Sequence, residues 1–292
     1  MIVQRKHIIF LIALGLMFNM NAQTSKTKKK KAPKSNLDAK HVSESPYKIN
    51  FKNEIPYIGL SAGLLSSGLI IKHINEEAPF TLDELDNLDP NDINSFDRGA
   101  AYNSSESARI YSNYALYGGA LLPLYFLSMH YTRSEFIPLV VMGTEVYAIV
   151  STLAMNAKFS FNRARPLAYN PEFSDEFRTS QTSKLSFFSG HTAQTAGFSF
   201  FMAKVISDYH PNMNTAKKIG LWSFAVGLPA VTGYFRVKGG KHFNTDVMTG
   251  FAVGAFAGWL IPHLHKKKES KLSLAPFNYQ NANGLSLTLK LD

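Results

Sequence analysis

A histidine and an aspartate four residues apart, in the stretch YFRVKGGKHFNTDVMTG from Tyr234 to Gly250, are the first candidates for chemistry. If this stretch is helical, His242 and Asp246 lie on one face within hydrogen-bonding distance. A carboxylate on one ring nitrogen fixes the imidazole tautomer and leaves the other nitrogen basic, as a nucleophile requires. Gly239-Gly240 would let the backbone approach a ligand closely. Taken alone, the pair is equally consistent with a structural contact at a helix start.

A pair of cations occurs upstream in KFSFNRARP, where Lys158 and Arg165 are seven residues apart. Seven residues make about two helical turns, so the spacing predicts that both side chains share one helix face. Pro166 is expected to end or bend that helix. Two cations near a helix end suit an oxyanion with several oxygens. Basic residues at the edge of a bundle would explain this pair equally well by itself.

A third cluster, FFSGHT, places Ser189, Gly190 and His191 at the start of an apolar segment. A Ser-Gly pair that opens a helix presents a hydroxyl and backbone N–H groups, which bind anions readily. His191 beside it could give a proton to whatever leaves the anion. A simple helix cap is the alternative interpretation of this cluster alone.

The three clusters are more specific together than apart. With Arg236, which lies six residues before His242, they supply three cations, two histidines, one carboxylate and a run of backbone donors. Phosphoryl transfer needs this inventory: cations for the equatorial oxygens, a nucleophile in line, and an acid for the leaving oxygen.

The ordered motifs Lys-x6-Arg-Pro, Ser-Gly-His and Arg-x5-His-x3-Asp resemble those of the type 2 phosphatidic acid phosphatase and vanadium haloperoxidase superfamily. The resemblance covers about Ile110 to Pro262. Phe188 stands where that superfamily commonly has Pro, and Phe235 stands where it commonly has Ser. Neither departure removes a reacting group.

The resemblance implies a role for each motif residue. The phosphate oxygens would be held by Lys158, Arg165 and Arg236, with hydrogen bonds added by Ser189 and Gly190. His242 would attack phosphorus to give a phosphohistidine, and Asp246 would orient it. His191 would protonate the leaving alkoxide and then activate water. The resemblance implies no metal and no cofactor, and an all-α fold.

Apolar segments recur along the chain and predict an all-α, membrane-embedded bundle of about six helices. They are Tyr57–Ile74, Ser112–Met129, Phe136–Met155, His191–Ile206, Ile219–Phe235 and Val247–Ile261. The acidic stretch Phe80–Gly99 is expected to be a solvated loop with a capping box at Thr81 and Glu84. Alternating leucines from Leu285 to Leu291 after Asn283-Gly284 predict a short C-terminal β-hairpin.

The composition and the N-terminal sequence indicate where the protein is located and which classes of partner are expected. The chain has 292 residues, 45% of them hydrophobic and 18% charged, with no cysteine, which excludes disulfides and cysteine nucleophiles. The net charge of +10 comes in part from lysine runs in a linker and the tail rather than from a nucleic-acid-binding motif, so nucleic acid is not expected as a partner. Arg5 and Lys6 followed by Ile8–Phe18 indicate a secretory signal.

The predicted organisation is a signal peptide at 1–23, a basic linker at 24–50, a helical phosphatase domain at 51–266 with its motif core at 110–262, and a tail at 267–292. Basic residues at the segment ends opposite the motifs favour an inner-membrane protein with a periplasmic site. An exported N-terminus conflicts with this if Tyr57–Ile74 crosses the membrane, so either that segment does not cross or the bundle is soluble.

The leading hypothesis is a metal-independent envelope phosphatase that acts on a lipid phosphate or diphosphate. The alternatives are a soluble periplasmic acid phosphatase, a vanadate-dependent haloperoxidase, and a non-catalytic envelope protein.

Overall fold

Six long helices form the body of the protein. The computed structural model describes residues 45–133, 136–267, 272–279 and 282–289. The long helices are α1 (Phe51–Asn75), α2 (Glu106–Leu121), α3 (Phe136–Phe161), α4 (Gly190–Tyr209), α5 (Thr215–Lys238) and α6 (Asn244–His265). Each contains or overlaps one predicted apolar segment, which confirms the helical class. The predicted signal peptide, and the linker up to residue 44, lie outside the described residues.

Short elements complete the helical part. Four-to-five-residue α-helices occur at Leu82–Asp86, Ser95–Arg98, His130–Arg133 and Asp175–Arg178. Short 3₁₀ segments occur at Pro90–Asp92, Gly99–Tyr102, Leu122–Leu127 and Pro166–Tyr169. The predicted capping box is confirmed: Thr81 and Glu84 exchange side-chain-to-backbone hydrogen bonds at the start of the first short helix.

Consecutive long helices run in opposite directions, so the bundle has two distinct ends. Asn162 donates to the carbonyl of Asn75, and the backbone N–H of Ser105 donates to the carbonyl of Lys238. The first contact joins the ends of α1 and α3, and the second joins the start of α2 to the end of α5. We call this end of the bundle the motif end. At the opposite, distal end, the N–H of Lys48 donates to the carbonyl of His265.

Helix α4 is the centre of the bundle and contacts α2, α3, α5 and α6. Its closest neighbour is α6, where Gly250, Gly254 and Gly258 recur every four residues on one face. A methyl group at these positions would collide with backbone oxygens of Ser189, Ala193 and Gly197 respectively. The two backbones therefore pack in direct contact, as small residues permit between helices.

Within the part of the chain that the structure describes, three helical segments are long and apolar enough to cross a membrane: Glu54–Asn75, Phe136–Tyr169 and Asn244–His265. The first has only 11% of its apolar window buried inside the protein. Ile58, Leu69 and Ile74 on α1 are each more than half exposed. An apolar surface of this kind is compatible with a membrane environment.

The C-terminal tail contains two antiparallel strands, β1 (Leu272–Tyr279) and β2 (Ala282–Leu289). Asn283 and Gly284 pair with Asn278 and Phe277, so they belong to β2 rather than to a turn before it. The residues between the strands, 280–281, lie outside the described part, and a tight hairpin turn there stays a prediction.

Candidate active site

The motif end brings all the predicted site residues together in the loops and helix termini around the start of α4. Lys158 lies in the last turn of α3, Ser189 caps α4, and Arg236 lies in the last turn of α5. The positive charges of Lys158, Arg165 and Arg236 act on both His191 and His242, so the cations surround the two histidines.

Three expectations of local helix geometry were not met. Helix α3 ends at Phe161, and Asn162 has a φ of 38°, so Arg165 lies in a loop and does not share a helix face with Lys158. Pro166 neither ends nor bends α3; it opens a short 3₁₀ turn. Similarly, α6 begins at Asn244, so His242 precedes the helix that carries Asp246.

His242 is buried, with 1% of its surface exposed, and its ring is oriented by a backbone carbonyl. Nδ1 lies 2.7 Å from the carbonyl oxygen of Ser186. Because a carbonyl only accepts, Nδ1 carries the proton and Nε2 keeps its lone pair. Asp246 Oδ2 lies 3.8 Å from Nδ1, which is too long for a hydrogen bond. The predicted direct orientation by Asp246 is therefore wrong; Ser186 takes that position.

Asp246 instead fixes the surroundings of His242. Its Oδ2 accepts from the hydroxyl of Ser186 at 2.6 Å and from the N–H of Phe243 at 2.9 Å. Its Oδ1 accepts from Arg163 Nη1 at 2.6 Å. The carboxylate thus ties down the residue whose carbonyl orients His242 and the residue that follows His242.

Burial lowers the pKa of His242 well below its usual value, and the charges of Arg165, Arg236 and Lys158 lower it further. The hydrogen bond to Ser186 opposes this shift in part. His242 is consequently neutral at neutral pH, which is the form that can attack as a nucleophile.

His191 lies in the first turn of α4, and its Nε2 is 2.8 Å from Asn113 Oδ1 on α2. With the amide oxygen as acceptor, Nε2 carries a proton and Nδ1 is the basic nitrogen. Burial lowers the pKa of His191 well below its usual value, and the charge of Arg236 is the next cause. A bound oxyanion would offset these cations and favour the protonated ring.

Arg236 is 6% exposed and has an unused donor. Its Nη1 lies 3.3 Å from the hydroxyl of Ser112, whereas its Nε has no hydrogen-bond partner within the described residues. A buried N–H without an acceptor is costly, and an anion bound among these cations would satisfy it. Arg236 is thus the cation with the clearest unused donor for a phosphate oxygen.

The other groups predicted to hold phosphate differ in the hydrogen bonds and contacts that they already make within the protein. Arg165 donates from three nitrogens to the carbonyls of Thr182, Lys241 and Leu185, so it organises the surrounding loops as well as adding charge. A Cβ on Gly190 would lie 3.6 Å from Lys158 Nζ, so the ammonium sits directly over the start of α4. The hydroxyl of Ser189 is 2.9 Å from that of Thr192.

Sequence reasoning missed a charged network behind the site. Arg163 bridges two buried carboxylates, with Nη1 on Asp246 and Nη2 2.8 Å from Asp97. Asp97 also accepts from the N–H and hydroxyl of Thr245. Asp97 is fully buried, so the prediction of a solvated loop at Phe80–Gly99 is wrong at this residue. The sequence shows Arg163 in the NRARP stretch, but the motif does not predict its ion pairs with Asp97 and Asp246.

Two further basic residues, Lys241 and Arg109, lie at the edge of the candidate site. Burial lowers the pKa of Lys241 to about 7, and the neighbouring charges of Arg165, Arg236 and Arg109 contribute. Lys241 and Arg109 both lie over the ring of Phe177, at 5.3 and 4.8 Å from its centroid. They extend the positive charge from the site toward the 173–178 segment.

The comparisons with known proteins agree with this arrangement. A family model described as PAP2 superfamily matches residues 135–270, a segment that contains all three motifs. Searches of curated proteins and of solved structures gave no match. Members of the matched superfamily are phosphatases, which supports a phosphoester hydrolase. Residues 135–270, with the motifs within them, therefore match the PAP2 superfamily, that of the type 2 phosphatidic acid phosphatases.

Proposed function

We propose that the protein hydrolyses a lipid phosphate or diphosphate through a phosphohistidine intermediate, without a metal in the reaction. The observation that carries this is the combination of a neutral, carbonyl-oriented His242 with a buried Arg236 Nε that has no hydrogen-bond partner among the described residues. Together they provide a nucleophile and a donor for an oxyanion.

In the first step, Nε2 of His242 attacks phosphorus and forms an N–P bond while the P–O bond to the organic group breaks. His191 gives its proton to the departing alkoxide oxygen. The cations of Lys158, Arg165 and Arg236 balance the charge on the equatorial oxygens. In the second step, His191 takes a proton from water, whose oxygen attacks phosphorus; the N–P bond then breaks and releases inorganic phosphate.

An apolar groove supports a lipid substrate. It has a volume of about 310 Å³ and lies between α4, α5 and α6, with Thr192, Pro229, Gly233, Met248 and Phe251 among its lining residues. Thr192 follows His191 directly, so the groove borders the helical turn that carries the proposed leaving-group acid. An alkyl chain on the leaving oxygen would bury apolar surface there.

The test is phosphate release from a panel of lipid phosphates by the detergent-purified protein in the presence of EDTA. We expect turnover in wild type and its loss in His242→Ala. Acid quench during turnover should trap labelled phosphate on the wild-type chain but not on the variant. Unchanged metal-free activity in His242→Ala would exclude the mechanism.

A further inference from the structure

Three ionisable side chains meet inside the distal end of the bundle, away from the motif residues. Glu54 lies in the first turn of α1, Glu145 in α3, and His265 in the last turn of α6. Their exposed fractions are 5%, 8% and 5%. Each of three separate helices thus contributes one buried group to the same point.

The two spacings between the histidine and the carboxylates match the edges of a metal coordination shell. One ligand atom from each residue lies within 4.8 Å of the others. His265 Nε2 is 3.2 Å from Glu54 Oε2 and 3.4 Å from Glu145 Oε2. Tetrahedral Zn²⁺ with bonds of about 2.0–2.2 Å places neighbouring ligand atoms about 3.3–3.5 Å apart.

The tautomer of His265 also requires a positive species at this point. Nδ1 lies 2.8 Å from the carbonyl oxygen of Ile261, to which it must donate. A neutral ring therefore turns its Nε2 lone pair toward two carboxylates, and these groups repel unless a metal cation or a shared proton lies between them. A backbone carbonyl on the far nitrogen is the usual support of a metal-bound histidine.

The described protein groups do not balance the two carboxylates. Glu54 Oε1 and Glu145 Oε2 are buried without a hydrogen-bond partner among the described residues. Within the same residues, the only ion pairs of these carboxylates are with His265. The basic residues Lys204 and Lys266 at this end are paired with Asp208 instead. Buried carboxylates without such compensation are costly.

We propose that Glu54, Glu145 and His265 bind a divalent transition metal, Zn²⁺ being the best match to one imidazole and two carboxylates. Water supplies the fourth ligand. The ion fastens α1 to α3 and α6 at the distal end, where it holds the helix that packs least on the rest of the bundle. This role is structural and separate from the proposed phosphatase chemistry.

The test uses the full chain, purified in detergent through a tag without histidines, loaded with ZnCl₂ and then desalted. We expect about one zinc per chain by mass spectrometry, and a lower thermal midpoint after EDTA treatment than with zinc bound. Glu145→Gln keeps the side-chain size and removes an anionic ligand. It should retain less than about a tenth of the zinc and lose the zinc-dependent shift in midpoint.

His263→Ala is the matched control, since His263 is exposed on the same helix two residues away. It should bind zinc as wild type does. If wild type retains no zinc and its thermal midpoint is the same with and without zinc, the cluster is held by a shared proton and the proposal is wrong. If Glu145→Gln retains as much zinc as wild type, the metal binds elsewhere, which overturns the proposal equally.

Discussion

His242 depends on two layers of support. The carbonyl of Ser186 fixes the tautomer directly, and the carboxylate of Asp246 holds Ser186 and Phe243 in place. Asp246 is itself neutralised by Arg163. Loss of the carboxylate would therefore disturb the ring by releasing its neighbours, although no hydrogen bond joins Asp246 to the ring.

The proposed acid role of His191 predicts a dependence on the leaving group. In His191→Ala, turnover of an alkyl phosphate should fall by about 10²–10⁴-fold, since an alkoxide needs a proton to leave. Release of p-nitrophenol from p-nitrophenyl phosphate should fall much less, because that phenolate leaves without protonation. Single-turnover rates with the two substrates measure the difference. Equal losses would contradict an acid role for His191.

The same residue predicts the pH dependence. Because the pKa of His191 is lowered in the free protein, its acid form is lost as pH rises through a value below about 6.5. The kcat/KM for alkyl phosphates, which reports the free enzyme, should then decline as pH rises through the pKa of His191. His191→Ala should remove this decline, and a profile unaltered by the substitution would assign the decline to another group.

The Arg163 bridge predicts a stability effect. Arg163→Ala leaves the buried carboxylates of Asp97 and Asp246 without their shared cation, and removal of one partner of a buried pair costs about 3–5 kcal/mol. Lys72→Ala is the control, because its pair with Glu76 is exposed and such pairs contribute about 0–1 kcal/mol. Denaturant unfolding in detergent compares the two. Similar losses would show that the bridge is energetically an ordinary surface pair.

The limits of sequence reasoning are clear at this scale. The motif types and order were enough to predict the superfamily match of residues 135–270 and to name residues that meet at one end of the bundle, because reacting groups must be present whatever the local backbone. The local geometry was not predictable: Asn162 in a left-handed conformation ends α3 early. Nor were the partners of Arg163, since Asp97 and Asp246 are 66 and 83 residues away in the chain.

At the scale of elements, the contact between α4 and α6 positions the site. The N–H of Ser189 donates to the carbonyl of Asp246 at 3.0 Å, so the start of α4 is joined directly to the first turn of α6. The glycine face of α6 makes this approach possible. The apolar periodicity predicted both helices, but their closeness depends on three-dimensional packing that periodicity does not encode.

This contact predicts that Gly254→Ala is destabilising by about 1–3 kcal/mol or more, because the new methyl group meets the backbone of Ala193. The control is Gly227→Ala in α5, where a Cβ would meet nothing within 4 Å. Alanine there should be neutral or stabilising by up to about 1 kcal/mol, since glycine disfavours helix. Thermal midpoints of the two variants measure the contrast. Equal midpoints would mean that α4 and α6 pack less closely.

The groove beside the site predicts a specificity change. Ala230→Trp should fill part of it and raise KM for long-chain lipid phosphates, while kcat/KM for a short, water-soluble phosphate stays the same. Phe224→Trp serves as the control, since Phe224 lies on the same helix but does not line the groove. If Ala230→Trp affects short and long substrates equally, the groove does not bind the alkyl chain and a soluble substrate is favoured.

At the scale of the whole molecule, the distal end carries a set of basic residues. They lie at or beyond its helix termini and are Arg133, Lys217, Lys218, Lys266 and Lys267. Basic residues favour the cytoplasmic side of a membrane, and the prediction that the motif end lies outside rests on this pattern. The chain from Ser45 to Lys48 also lies at the distal end, through its contact with His265. A cleaved export signal would put that segment outside, so the two sequence predictions conflict if α1 crosses the membrane.

Single cysteines can decide between these arrangements, because the natural chain contains none. Asp175→Cys at the motif end and Lys217→Cys at the distal end both replace exposed residues. With a periplasmic site in a membrane-spanning bundle, an impermeant maleimide should label Asp175→Cys in intact cells and label Lys217→Cys only after permeabilisation. The reverse pattern would place the site in the cytoplasm, as an exported N-terminus followed by a crossing α1 requires. Labelling of both in intact cells would mean that the bundle does not cross the membrane at all.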